Sequence, residues 1–343
     1  MRNQMELLQS QGKRTEIDSE TFSKIIRQTK ELGTKSILFI GGEPLLRKDL
    51  LDLVKQATNY ELNTIIVTNG LLLDEDKIQA SFNAGVNWLS ISLDAACERL
   101  FSQIRGENTL GKVIQNIETL NRLKVKHEKD FPKVVSVCTI MNDNLEELPA
   151  IIKLCRRLKI EKLIFQPVVI NNADQSQREF NSKVFIPPAR YPVLDQAIDR
   201  LIGYKRASRE NFDFIANSLT HLETIKKYFK QQLHKPPMPC YAGYNRLQIT
   251  QDYVVYFCIP PTQGCESSFG DVSKNDLREL WYSKQARIRR RLIRKCTAPC
   301  LQWCAYRDDF YALEEAFQKK FFFNRRWSKQ QRFQQLGLKI EGA

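Results

Sequence analysis

The sequence predicts an α/β fold built on a sheet of parallel strands. Short segments rich in β-branched and other apolar residues alternate with amphipathic stretches through the first half of the 343-residue chain. These short segments are apolar along their whole length, as expected for strands with two buried faces. Such alternation is typical of a parallel sheet or barrel with helices packed against it.

Each element follows from its local pattern. Strands are predicted at residues 36–40, 63–68, 87–93, 133–140 and 161–167. Helices are predicted at residues 19–33, 48–58, 74–84, 111–126 and 144–158. In the helical segments the apolar residues recur at helical spacing. Ser19 is expected to cap the first helix and Gly33 to end it.

The second half of the chain has a different organisation. Helices are predicted at residues 189–204 and 211–230, after a polar segment flanked by proline. We predict a core at residues 1–170, a helical connector at 171–235, a small cysteine-rich α+β domain at 236–310 and a basic aromatic tail at 311–343. The tail could dock on the core, a peptide or a nucleic acid.

Composition limits the class of protein. No apolar run approaches the roughly 18 residues that a membrane span needs, and no signal peptide opens the sequence. We therefore expect a cytoplasmic protein with no membrane partner. The formal net charge is +14. Such a charge is compatible with nucleic acid or acidic peptide partners, and also with a solvated basic face.

Polar residues follow most of the predicted strands. The carboxyl ends of parallel strands meet at one edge, where ligands bind in such folds. Two adjacent glycines let a ligand approach the backbone, and a carboxylate beside them can pair with an ammonium group. The residues at these strand ends are Gly41, Gly42, Glu43 and Pro44, then Asn69 and Gly70, Ser92 and Asp94, and Gln166 and Pro167.

Together these segments resemble the core of the radical S-adenosylmethionine (radical SAM) enzymes. Residues 41–44 are similar to the GGEP motif of that family, and residues 68–70, 91–95 and 105–106 fall where the family has similar residues. The resemblance covers residues from about 15 to about 170 and implies a barrel that carries SAM at its rim.

The resemblance also implies roles for these residues. Gly41, Gly42 and Glu43 would hold the amino end of SAM, and Pro44 would stiffen the turn. Ser92 and Asp94 would reach its ribose or carboxylate. Asn69 would lie on the same rim, and Gln166 and Pro167 would flank the adenine. An ordinary turn remains the alternative for Asn69-Gly70, and a helix cap for Ser92 and Asp94.

Two features of the family are missing from the sequence. The family barrel, of (β/α)6 type, has six parallel strands, and five are seen, so we expect a partial barrel that lacks its first strand. The family also carries Cys-x3-Cys-x2-Cys before GGEP for the catalytic [4Fe–4S] cluster, yet residues 1–40 contain no cysteine. We expect that the chain starts late, with Met1 just after the cluster loop and strand 36–40 left as an exposed edge. A stop codon directly before Met1, in frame, would contradict this expectation.

Six of the nine cysteines lie in the last third of the chain. They are Cys240, Cys258, Cys265, Cys296, Cys300 and Cys304. In a cytosolic protein, clustered thiols indicate a metal site rather than disulfides. Their spacing suits zinc or an iron–sulfur cluster, and simple apolar packing is the remaining alternative.

The layout of these cysteines resembles the SPASM or twitch extensions of radical SAM proteins, which carry auxiliary [4Fe–4S] clusters. It implies one such cluster, with Cys240, Cys258, Cys296 and Cys300 as ligands and Cys304 able to replace one of them. Tyr253 departs from the pattern, because a glycine is usual there. The basic run at residues 287–291 could offset the charge of a cluster or form a solvated helix face.

The resemblance implies a radical SAM enzyme that cleaves SAM reductively, abstracts a hydrogen atom and modifies a peptide or protein. A reductant such as flavodoxin or ferredoxin would be its partner. If the amino-terminal cluster motif is truly absent, the chain would be inactive. A non-catalytic paralogue that binds SAM or a partner and holds one cluster is then the alternative. An RNA-modifying radical SAM enzyme is a further one.

Overall fold

Five parallel strands form the central sheet, in the order in which they occur in the chain. They are β1 (Ser36–Phe39), β2 (Asn63–Thr68), β3 (Trp88–Ser92), β4 (Lys133–Ile140) and β5 (Lys162–Pro167). The computed structural model describes residues 16–106, 108–169, 183–233, 240–258, 268–297 and 300–301. The predicted α/β fold class is confirmed, and each strand begins and ends within one residue of its prediction.

Helices pack against this sheet and are joined to the strands by short turns. They are α1 (Ser19–Glu31), α2 (Leu50–Asn59), α3 (Glu75–Ala84), α4 (Glu98–Arg105), α5 (Leu110–Lys126) and α6 (Leu148–Arg157). Sequence analysis missed α4, which is only eight residues long. It also placed the cap of α1 one residue late, since Asp18 rather than Ser19 accepts a hydrogen bond from the Thr21 amide. None of the helices in the described part of the chain is long and apolar enough to cross a membrane.

The core lies between the sheet and these helices. In β2, β4 and β5 every second residue is buried, while the residues between them are mostly half-buried. The buried set includes Ile66, Cys138 and Phe165, none of which exposes any surface. The half-buried set forms the opposite face of the sheet, which corresponds to the interior of a barrel. The sheet therefore has one packed face and one partly open face.

The two edges of the sheet differ. At the β1 edge, Leu38 and Ile40 are 50% and 67% exposed, and β1 pairs only with β2 among the described residues. At the β5 edge, Ile215 forms a parallel bridge with Leu163, and the Asn217 side chain bonds both the N–H and the C=O of Phe165. A short segment of the connector thus satisfies the backbone groups of β5, which an unpaired edge strand would expose.

This edge contact explains why the predicted helix at residues 211–230 is wrong. The connector instead contains α7 (Tyr191–Ala207), α8 (Arg209–Phe214) and α9 (Leu219–Phe229). Residues 215–217 are extended along β5, and Ser218 then caps α9 by accepting from the His221 amide. Pairing with a distant strand overrides the helical pattern of the segment. Residues 170–182 lie outside the described part.

The cysteine-bearing region is a small α+β unit. A three-stranded antiparallel sheet contains β6 (Gln248–Ile249), β7 (Val254–Tyr256) and β8 (Gly270–Asp271), followed by α10 (Leu277–Tyr282) and α11 (Lys284–Arg294). Residues 302–343 lie outside the described part, and so does the predicted tail.

Helix α1 connects this region to the sheet. Ile26 on one side belongs to the core of the sheet, whereas Ile25 belongs to the separate apolar cluster of the cysteine-bearing region. The Gln28 side chain donates to Asp276 over 2.8 Å and accepts from the Leu277 amide over 3.0 Å. One helix therefore provides apolar contacts and specific hydrogen bonds to both regions.

Candidate functional site

The predicted rim residues lie at the carboxyl ends of the strands. In the register of the sheet, Phe39 pairs with Ile66, Thr68 with Ile91 and Ser92 with Val137. This alignment brings the turns after β1, β2 and β3 together at the carboxyl ends of the strands, which we call the rim. Gln166 on β5 pairs with Thr139 near the same ends of the strands. Ser92 and Gln166 are both half-buried rather than part of the packed core.

Glu43 is the most highly connected side chain of this rim. Its Oε1 atom accepts hydrogen bonds from the Leu45 amide over 3.1 Å and from the Thr68 hydroxyl over 2.8 Å. Its Oε2 atom accepts from the Asn69 amide over 2.8 Å. A carboxylate offers about four acceptor positions, so three internal bonds leave about one for a ligand. The carboxylate is thus held in place and can still accept a bond from an ammonium group.

Gly41 and Gly42 leave open space in front of the rim. Both are exposed, and a Cβ atom added at either position would meet no atom of the described chain within 4 Å. Neither glycine is therefore required by packing inside the chain. Pro44 begins a short 3-10 helix (Pro44–Leu46) and fixes the direction of the turn. Open backbone beside a fixed carboxylate fits the amino end of SAM, which carries one ammonium and one carboxylate group.

Asn69 and Gly70 form a structural turn, the alternative that the sequence left open. The Asn69 Oδ1 atom accepts from the Leu71 amide over 2.9 Å. Gly70 has φ of +80°, and a Cβ there would come within 3.2 Å of Val113. Glycine is therefore required by both backbone conformation and space. The role of Asn69 toward a ligand stays a prediction.

Asp94 is engaged inside the protein. It is 1% exposed, forms an ion pair with Arg105 and accepts from the Thr139 amide over 2.7 Å. The Asn144 side chain donates to its carbonyl oxygen over 2.9 Å. These bonds join the end of β3 to β4 and to the end of α4, and they account for a carboxylate at this position. Contact of Asp94 with SAM stays a prediction, as it does for Ser92 and Gln166.

The cysteines fall into two classes by burial. Cys138 and Cys155 belong to the core, and desolvation raises the pKa of Cys155 to about 12 and that of Cys138 well above its ordinary value. Both thiols stay protonated at neutral pH, which is unsuitable for metal binding. The thiols of a second group are half-buried. This group consists of Cys97, shortly after β3, and of Cys240, Cys258, Cys296 and Cys300.

Four of these half-buried thiols, all except Cys97, belong to the cysteine-bearing region. Cys240 and Cys258 pack against its apolar cluster, and Cys296 directly follows the last turn of α11. Among the described residues, no three cysteine, histidine or acidic side chains are grouped so that they could hold a metal ion. Cys304 and Cys265 lie outside the described part. The proposed set of cluster ligands therefore stays a prediction.

Arg290 is a feature that sequence analysis missed within the basic run. Residues 287 and 291 are exposed, but the Arg290 guanidinium packs against the rings of both Phe257 and Trp281, at 4.8 and 4.5 Å from their centroids. Its Nε atom donates to the Gly243 carbonyl over 2.6 Å. Desolvation lowers the pKa of Arg290, although guanidinium stays charged. One member of the run therefore holds together the segments that carry Cys240 and Cys258.

Known proteins match this chain mainly in the part that contains the parallel sheet. The model of the radical SAM superfamily matches residues 2–155. A "PqqA peptide cyclase" of Bradyrhizobium diazoefficiens is 30% identical over 148 residues, which are 43% of this chain and 37% of that protein. The match thus spans little more than a third of that relative. The resemblance to the radical SAM superfamily is confirmed, and it is carried by the part of the chain that contains the sheet.

Solved structures share the fold over a longer stretch. Streptococcus suis SuiB bound to precursor peptide SuiA has a TM-score of 0.60 at 18% identity and is covered to 66%, against 84% of this chain. The protein anSMEcpe with bound AdoMet and the Kp18Cys peptide has a TM-score of 0.58 at 15% identity, with 90% of each chain covered. Identities this low support the fold, including its partial barrel, and nothing finer.

Proposed function

We propose that this chain, a member of the radical SAM superfamily, binds SAM at the rim formed by residues 41–44 and acts on a peptide or protein. The observation that carries the proposal is the open backbone of Gly41 and Gly42 beside the fixed carboxylate of Glu43. The similarity to a peptide cyclase and to two proteins solved with peptides supports the choice of substrate class.

In this proposal the residues of the rim have distinct tasks. The Glu43 carboxylate accepts a hydrogen bond from the ammonium group of SAM, and its bonds to Thr68 and Asn69 prevent it from turning away. Gly41 and Gly42 present backbone N–H groups to the SAM carboxylate. The half-buried face of the sheet, including Val137 and Ile164, excludes water on the inner side. When bound and given one electron, SAM would release methionine by cleavage of its S–C5′ bond and supply a 5′-deoxyadenosyl radical that abstracts a hydrogen atom from the substrate.

The proposal has two versions, which differ in whether the chain can deliver that electron to SAM. The sequence contains no cysteine before Cys97, so residues 1–96 offer no thiolates for the cluster that reduces SAM. A chain that supplied no such thiolates would bind SAM without cleaving it, and this is the second candidate. In both versions the cysteines of the last third hold one auxiliary [4Fe–4S] cluster, and a flavodoxin or ferredoxin would be the reductant in the catalytic version.

Glu43→Gln tests the binding site by isothermal titration calorimetry with SAM. Loss of a bond from a charged acceptor is worth about 1.5–3 kcal/mol, so we expect SAM to bind about 10–150 times more weakly. Glu161→Gln is a matched control. Glu161 also accepts from a backbone amide, that of Val134 over 2.7 Å, but it lies at the amino ends of the strands, away from the rim. It should leave SAM affinity unchanged. Wild-type protein that does not bind SAM, or equal affinity in Glu43→Gln, would refute the site.

Anaerobic reconstitution separates the two versions. A chain with only the auxiliary cluster should bind about four iron atoms and release no 5′-deoxyadenosine with SAM and dithionite. About eight iron atoms together with 5′-deoxyadenosine would identify the catalytic version. Cys258→Ala should lower the iron content, whereas Cys138→Ala, a change at a core thiol, should not. Equal iron in both variants would refute the assignment of the auxiliary cluster to this region.

A further inference from the structure

Tyr253 occupies an unusual backbone conformation in the turn between β6 and β7. Its φ is +67°, in the left-handed region where a side chain is unfavourable. The turn itself is well formed, because the Tyr253 amide donates to the Thr250 carbonyl over 3.0 Å and the Val272 amide donates to the Tyr253 carbonyl over 2.9 Å. Glycine would satisfy both bonds without strain. Some contact of the tyrosine side chain must therefore offset the strain.

The Tyr253 hydroxyl reaches the start of α1. It lies 3.3 Å from the Asp18 amide, which donates to it. It can itself donate to the Glu16 carbonyl, at 3.3 Å, or to the Asp18 carboxylate, at 3.2 Å. The same carboxylate caps α1 through the Thr21 amide, over 2.8 Å. The hydroxyl thus completes the cap of a helix that is more than 230 positions away in the sequence.

The turn after residues 41–44, the rim turn, contacts the same cap. The Arg47 guanidinium donates to the Ile17 carbonyl over 2.7 Å and to the Asp49 carboxylate over 2.8 Å. The Ser19 hydroxyl donates to the same Asp49 carboxylate. The Arg47 side chain also lies over the ring of Phe22, in the first turn of α1. Residues 16–19 therefore contact both the rim turn and the hairpin.

We propose that Tyr253 is a positioning residue that couples the turn after residues 41–44 to the hairpin preceding Cys258. The cap of α1, residues 16–19, is the shared element. A change that loosens the Arg47–Asp49 side of the cap then weakens the hold of Tyr253 on the hairpin, and the reverse follows from thermodynamic reciprocity. Where it names SAM, the inference rests on the proposed function. The coupling itself concerns only contacts of the protein.

The first experiment needs no ligand and uses hydrogen exchange of the full chain. Asp49→Asn weakens the rim side of the cap. When residue 253 is tyrosine, we expect this change to accelerate hydrogen exchange of the β6–β7 amides about 5-fold. A factor of about 5 is the lower end of the coupling usually found between two sites. In a Tyr253→Phe background the same change should have no effect on these amides. Tyr253→Gly, which also removes the strain, should behave like Tyr253→Phe and covers the case in which phenylalanine does not fold.

Asp74→Asn is the matched control. Asp74 caps α3 through the Lys77 amide over 2.8 Å and, in the described part of the chain, forms no hydrogen bond with α1 or the hairpin. It should leave hairpin exchange unchanged. An equal effect of Asp49→Asn with tyrosine, phenylalanine and glycine at position 253, or no effect with tyrosine, would overturn the proposal.

The second experiment adds SAM and separates the two proposals. SAM should slow exchange of the β6–β7 amides in wild-type protein and not in Tyr253→Phe, while calorimetry reports binding directly. Binding to the wild-type protein without protection of the hairpin would overturn the coupling. If the wild-type protein does not bind SAM, the proposed function fails, and the Asp49→Asn comparison alone decides the coupling.

Discussion

The parallel sheet and the cysteine-bearing region are stabilised in different ways. The sheet has strands of four to eight residues, and a continuous core covers one of its faces. The second region has strands of two or three residues and a much smaller apolar cluster, to which Ile17 and Ile25 contribute from outside it. Short strands and a small core are marginal on their own. The sheet is therefore expected to fold from its own contacts, whereas the second region is expected to depend on its contacts with Ile17 and with α1.

The difference extends to how each region uses polar residues. In the sheet, buried side chains such as those of Asp94 and Asn144 bond to backbone groups within the same unit. In the cysteine-bearing region, Tyr253 and Asp276 bond to α1. Polar contacts within one unit fix a local shape, while contacts between units fix how the units are placed. Three changes, ordered from the largest expected effect to the smallest, sharpen this comparison.

The first prediction compares the effect of a cavity-creating substitution in each of the two regions. Ile66→Ala removes a fully buried side chain from β2 and should lower the free energy of unfolding of the sheet by about 2–5 kcal/mol. Leu277→Ala, at an equally buried site of the second cluster, should accelerate exchange in β6–β8 and leave β1–β5 unchanged. Native-state hydrogen exchange measures both. Equal loss in both sheets after Leu277→Ala would show that the two regions unfold as one unit.

The second tests the contact between the two regions at His221. Burial lowers the pKa of His221 to about 4, and the ring also interacts with the backbone of Leu301. The Asn217 amide nitrogen lies 2.9 Å from its Nδ1 atom, and that amide cannot rotate because its oxygen accepts from the Phe165 amide. A proton on Nδ1 would therefore face another donor.

Between pH 6.5 and about 4 the unfolded chain thus binds the His221 proton and the folded chain does not. The contribution of the neutral ring is present above pH 6.5 and is lost as the pH falls toward 4, by up to about 3 kcal/mol. Urea denaturation across this range measures the loss. His221→Gln should flatten the profile, and His127→Gln, a change at the exposed end of α5, should retain it. An unchanged slope in His221→Gln would refute this origin.

The third and smallest effect is expected at Gln28. Gln28→Ala removes the two hydrogen bonds from α1 to Asp276 and Leu277, and should lower the stability of the cysteine-bearing region by about 1–2 kcal/mol. Exchange of the α10 amides should rise while that of β4 does not. Gln115→Ala, on the exposed face of α5, is the control and should change stability by less than about 0.5 kcal/mol. A slower or unchanged exchange in α10 would contradict the docking role of Gln28.

Sequence analysis succeeded where local pattern and tertiary context agree. The strands and most helices of the sheet follow from continuous apolar runs and helical periodicity, and the rim residues follow from their position after the strands. It failed at residues 211–230, where pairing with β5 interrupts a helical pattern, and at α4, which is too short for its period to be evident. The contacts of Arg290 with Gly243, Phe257 and Trp281 could not be predicted, because these residues are separated in the chain.

The sequence by itself predicted the parallel α/β architecture and the resemblance to the radical SAM superfamily, because strand and helix periods and the motif at residues 41–44 are local properties. It also identified the group of thiols in the last third. Only the tertiary structure decided that Glu43 is fixed by the next strand end, that Asp94 is held inside the protein, and that Tyr253 and the rim turn share the cap of α1. Those facts depend on residues far apart in the chain, and folding alone brings them within hydrogen-bonding distance.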